Sequence, residues 1–153
     1  MIHNAIHEAA HAVLNIIYGI EVDRVTIDDC NPMCYVAKTK LDEYPVSDLM
    51  PEKVKHAIYC LFAGEIAEAK LKNIEIGIED LPISDDVTKA YDLHFEYNKY
   101  KDRKTIDVEM NKLFYESILI VNKHWNTIKL VAHELQMKKT LTGNEVKSLI
   151  YNI

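Results

Sequence analysis

Residues 5–13 read Ala5-Ile6-His7-Glu8-Ala9-Ala10-His11-Ala12-Val13. Ala5, Ala9, Ala12, Val13, Ile16 and Ile17 recur at helical spacing, and Gly19 stands where a helix C-cap belongs, so the pattern predicts a helix over residues 4–18. On such a helix His7 and His11 project from one face, one turn apart, and both imidazoles can reach one ion. Zinc accepts neutral imidazole nitrogen at about 2.0–2.1 Å, and a catalytic zinc site uses three protein ligands with a fourth position left for water. A third ligand must therefore come from elsewhere in the chain. Glu8 follows the first histidine, which puts its carboxylate beside that open position while it contributes no bond to the metal, the place of a general base. The chemistry implied is amide hydrolysis, with Glu8 taking a proton from water and passing it to the leaving amine. The competing reading is a chance occurrence of H-E-x-x-H on an amphipathic helix. The flanking alanines, which let neighbouring elements pack closely, favour the metal.

Outward from this helix the texture changes. Residues 22–27 and 35–40 are short β-branched segments separated by the turn formers Asp28, Asp29, Asn31 and Pro32, and they predict two short paired strands. Pro51, behind the possible caps Ser47 and Asp48, opens a second helical pattern over residues 51–73. A loop over residues 74–83 leads to Ser84, an N-cap for a third helix ending near Tyr100. From Thr105 a long helical pattern runs to Leu135, kinked near residues 122–126, and Thr142-Gly143-Asn144-Glu145 is a capping box that starts a short terminal helix. The fold class expected is mainly α with a small β-hairpin.

Bulk properties narrow the functions. A chain of 153 residues fits one domain, residues 1–153, with a single core. A formal charge of −6 with scattered Lys and Arg argues against a nucleic-acid partner, which needs a basic stripe. The longest apolar stretches, residues 58–64 and 118–121, fall far short of the ~20 residues that span a bilayer. With no secretory signal pattern and only Cys30, Cys34 and Cys60, reduced thiols and a cytoplasmic location are expected. Cys30-x-x-x-Cys34 lacks a second Cys or His pair at zinc-finger spacing and is read as non-ligating.

Four motifs then fall in a recognisable order. Residues 5–13 resemble the A-x-H-E-A-G-H-A signature of the peptidase domain of FtsH-type zinc metalloproteases, and Asp23-Arg24-Val25-Thr26-Ile27 resembles the strand that follows it. Leu61-Phe62-Ala63-Gly64-Glu65-Ile66-Ala67-Glu68 is similar to the family's L-x-G-G-R-x-A-E helix, and Ser84-Asp85-Asp86-Val87-Thr88-Lys89-Ala90 to its S-N-D-L-x-x-A segment. Trp125-Asn126-Thr127-Ile128 and Thr140-Leu141-Thr142-Gly143-Asn144-Glu145-Val146 look like its closing helix and T-L-x-G-x-E turn.

The resemblance implies a zincin-like helical metallopeptidase domain with Zn2+ held by His7, His11 and Asp86 and with Glu8 as the base. Without the family, Asp86 reads as a capping or surface carboxylate at a helix start. Glu68 is expected outside the metal's ligands, orienting a ligating histidine through its free ring N–H. Tyr91 and His94 are only candidate helpers for the oxyanion, and His3, His56, His94, His124 and His133 have no partner at ligand spacing. Two departures stand out. Ala10 replaces the family's glycine, which is expected to narrow the groove beside the metal. The sequence also holds no phosphate-cradling loop or membrane anchor, so unfolding of a protein substrate would fall to a separate ATPase partner. Three functions remain open: a stand-alone peptidase acting on peptides or exposed segments, a catalytically silent zinc-stabilised binding module, and a small regulatory peptidase that cleaves a specific repressor.

Overall fold

The computed structural model describes residues 2–28, 32–36 and 51–153. In chain order the elements are helix α1 (Ile2–Ile17), strands β1 (Val22–Thr26) and β2 (Met33–Val36), helices α2 (Pro51–Leu71), α3 (Asp85–Tyr97), α4 (Arg103–Lys123) and α5 (Trp125–Lys138), strand β3 (Thr140–Thr142) and helix α6 (Gly143–Tyr151). A single 3₁₀ turn, Ile78–Asp80, interrupts the loop between α2 and α3.

Helix α1 is the centre of the molecule. Residues 8–16 are buried without interruption, which a helix on the surface of a domain does not show. It packs against α2 and α5 on its sides and against β1 and β2 at its edge. Ala5, Ala9 and Ala12 on α1, with Ala63 and Ala67 on α2, are fully buried, and their small side chains let two helix backbones approach closely. The helix ends in a Schellman motif: Gly19, at φ +76°, donates its N–H to the Ile16 carbonyl at 3.0 Å, and Ile20 donates to Asn15 at 2.8 Å.

The small sheet is antiparallel with strand order β2-β1-β3. The hairpin expected from the sequence is therefore present as part of a three-stranded sheet, with Val25 of β1 opposite Cys34 on one side and Leu141 on the other. The third strand escapes sequence reading because Thr140–Thr142 is too short to display an alternating pattern. Thr142 serves twice, ending that strand and capping α6: its hydroxyl accepts the Glu145 N–H at 3.2 Å while Glu145 Oε2 accepts the Thr142 N–H at 2.8 Å.

Other boundaries move. Strand β2 begins at Met33 rather than Tyr35, and residues 37–40 of the expected strand lie outside the described residues, as do Cys30, Ser47 and Asp48. Helix α3 stops at Tyr97, where Asn98 donates its N–H to His94 and Phe95. The expected long kinked helix is two helices, broken at His124, and the first begins at Arg103 because Asp102 caps it through the Thr105 N–H at 2.7 Å. Among the described residues no helix is long and apolar enough to cross a membrane.

Candidate metal centre

Three elements converge on one point. Helix α1 supplies His7 and His11, α2 crosses it carrying Glu68, and the first turn of α3, capped by Ser84, brings in Asp86. One ligand atom each from His7, His11 and Asp86 lies within 4.8 Å of the others. The separations are 3.0 Å between the two Nε2 atoms, 3.2 Å from His11 Nε2 to Asp86 Oδ2 and 3.9 Å from His7 Nε2 to the same oxygen.

The far side of each ring decides what these atoms are. His7 Nδ1 is 2.7 Å from Glu68 Oε1, and His11 Nδ1 is 2.7 Å from the Cys60 carbonyl oxygen. Both partners accept, so each Nδ1 carries its proton and each Nε2 of a neutral ring presents a lone pair. With both rings neutral, two lone pairs and a carboxylate oxygen face one another, an arrangement that a cation at their centre, a shared proton or a metal ion, resolves. The edge of a tetrahedron with bonds of about 2.0–2.1 Å is about 3.3–3.4 Å, and the three separations bracket it. Two imidazoles and a carboxylate are a zinc donor set, and the residues fit that ion.

Space for it depends on Gly64. A Cβ there would lie 2.5 Å from His7 Nε2 and 2.6 Å from His11 Nε2. The α2 backbone thus passes directly over the two ligand atoms, and only a residue without a side chain leaves them clear.

The electrostatics follow from crowding. Burial alone would lower the His7 imidazole, but its interactions with Asp86 and Glu68 and the charge of Glu8 outweigh burial and raise it to about 10. Burial would raise the Asp86 carboxyl, yet His11 and His7 hold it well below the usual carboxylate range. Glu68 is held below its ordinary value, chiefly by the hydrogen bond from His7. Glu8, 7 % exposed, is pushed up by burial despite the opposing influence of His11 and His7 and a hydrogen bond from the Cys34 backbone N–H. A carboxylate raised toward neutrality is a better proton acceptor at physiological pH than an ordinary one.

The structure thus brings together His7, His11, Asp86 and Glu68, with Glu8 beside them. It does not bring His94 there: that ring is buried between Glu109 Oε2 at 3.0 Å and the Asn98 amide at 3.2 Å, and ties α3 to α4. Tyr91 lies near Asp107 of α4. His56 stacks on Tyr18 at 4.2 Å. Ala10 is fully buried in the core. Sequence reading missed three contributors: the Cys60 carbonyl, the Cys34 N–H and the bare backbone at Gly64. The first two are main-chain groups that leave no trace in residue identity. The third was legible only as a glycine inside a helical pattern, a costly choice that signals close approach.

Comparison with models of known protein families finds no match, and comparison with curated proteins finds none either.

Proposed function

We propose that this chain is a zinc-dependent metallopeptidase, similar in its site to the FtsH-type peptidase domain and acting by water attack with a glutamate base. The observation that carries the reading is the convergence of two imidazole lone pairs and the Asp86 oxygen, with Glu8 buried next to them. When bound, zinc supplies Lewis-acid activation of water and of the scissile carbonyl. The remaining work falls to side chains. Glu68 and the Cys60 carbonyl fix the two rings so that Nε2 faces the centre. Glu8 accepts the proton of the attacking water and delivers it to the leaving amine, and its burial keeps that carboxylate from being levelled by bulk water. Peptides or exposed protein segments are the substrate class, and folded substrates require a separate ATPase.

The test is metal content measured alongside hydrolysis of casein. About one zinc per chain and casein cleavage are expected. Glu8→Gln keeps size and hydrogen bonding but cannot accept a proton, so activity falls ~10² to 10⁴-fold while zinc content and melting temperature hold. Zinc without cleavage favours a metal-stabilised binding module, and full activity in Glu8→Gln refutes the peptidase assignment.

A further inference from the structure

Helix α4 is apolar on two opposite faces. Ile106, Met110, Leu113 and Val121 are buried on the side that packs against α2 and α3. At ~100° per residue Val108, Tyr115 and Leu119 form one line along the far side, where they are 64 %, 67 % and 67 % exposed. Single exposed apolar residues are ordinary, but a surface helix turns its polar residues outward, and one with two apolar faces has two surfaces to cover. The charges on this face are also incompletely paired. Lys112 stands in the same line and forms no ion pair among the described residues. Glu116, at the edge of the line on the same side as Lys112, accepts the Tyr59 hydroxyl with Oε2, and its Oε1 has no partner among the described residues.

We propose that this face of α4 docks against the same face of a second copy of the chain, as an antiparallel helix pair whose two-fold axis passes between Lys112 and Tyr115. The line is its own complement when reversed. Val108 and Leu119 lie equally far from the axis, so each Val108 meets Leu119 of the second copy. Lys112 then reaches Tyr115 of the second copy and the free oxygen of its Glu116, because an antiparallel pair brings like flanks together. Symmetry makes that ion pair twice. A parallel pair would instead set Lys112 against Lys112, and it would align the two helix dipoles rather than oppose them. A helix of this length, about 30 Å, offers a contact near the lower end of specific interfaces, about 1,000 Å² in total, so the expected dissociation constant is on the order of 10 µM. No residue of the metal centre takes part, and the proposal does not depend on zinc or on the peptidase reading.

Sedimentation equilibrium of the full-length protein, carried to roughly ten times the expected dissociation constant, should show a reversible monomer and dimer. Leu119→Glu places a charge in the apolar contact at two symmetry-related points, and the dissociation constant should rise ~30-fold or more. Lys112→Glu sets an acid beside Glu116 of the second copy and should weaken the dimer by a smaller factor that shrinks as salt is raised. Both positions are exposed, and circular dichroism checks that each variant is folded; should Leu119→Glu not be, Lys112→Glu carries the test. Cross-linking reads the orientation. Copies with Val108→Cys, mixed with copies with Leu119→Cys, should form a disulfide-linked dimer under mild oxidation, while Val108→Cys alone should not exceed wild type, since its two copies stand ~16 Å apart along the axis. A monomer at every concentration overturns the proposal and leaves the face to a different partner. A dimer that Leu119→Glu and Lys112→Glu do not weaken overturns it too, as does ready cross-linking of Val108→Cys to itself.

Discussion

Replacing Gly64 with alanine sets two effects of opposite sign against each other, and the structure says which dominates where. In an ordinary helix interior the change stabilises by about 0.5–1 kcal/mol, because glycine loses more backbone freedom on folding. At this position the new methyl lies 2.5 Å from His7 Nε2 and 2.6 Å from His11 Nε2. Carbon contacts settle at roughly 3.5 Å, so the rings must retreat by about 1 Å. Metal sites tolerate errors of about 0.2 Å in bond length, and a loss of that size exceeds what removing an orienting partner does, so zinc affinity should fall by more than ~100-fold. His7 and Glu68 are partly exposed and can move outward, so the helices need not come apart. The expected result is a folded protein without stoichiometric zinc. Competition titration with a chelator measures the affinity, and circular dichroism with thermal melting in chelator measures the fold. Wild-type zinc affinity in Gly64→Ala would refute the placement of α2 over the histidines and with it the geometry of the centre.

Glu68→Gln leaves His7 Nδ1 with a weaker acceptor, and zinc affinity should fall ~10 to 100-fold by the same titration; unchanged affinity would remove Glu68 from the site. In protein held in chelator, stability should depend on pH with a definite sign. His7 is raised from 6.5 to about 10 in the fold, so its contribution is fully present below pH 6.5 and is lost as pH rises to about 10. Asp86 is held below its ordinary 3.8, so its contribution is present above that value and lost as pH falls below it. Melting temperature in chelator should therefore decline between pH 6.5 and 10, and less steeply in His7→Gln. An equal decline in both proteins would refute the role given to His7.

Much of the helical frame was legible because its signals are local. Ser84, Thr142 and Pro51 mark helix starts by their own hydrogen-bonding or fixed φ, and α3, α6 and α2 begin at or just after them. The break between α4 and α5 was harder, since the apolar pattern continues through Trp125 and only His124 leaves helical geometry. Neither glycine nor proline marks the place, so periodicity alone joined two helices into one.

The site divides the same way. The pairing of His7 with His11 follows from the pitch of a helix, and so was determined by the spacing of two residues in the sequence itself. Asp86 and Glu68 reach those rings across 75 and 61 residues, counted from His11 to Asp86 and from His7 to Glu68, and nothing in helical periodicity selects them. Family resemblance had nominated both, but it is the packing of α2 on α1 and of α3 on α2 that places their oxygens 3.2 Å from His11 and 2.7 Å from His7. The tautomers were likewise beyond the sequence, because they depend on which acceptor meets each Nδ1, and one of the two is a main-chain carbonyl. A short-range pattern can direct two side chains to one face. Only the tertiary structure can bring acceptors behind and in front of them, because those contacts are made between segments whose separation along the chain carries no information about their distance in space.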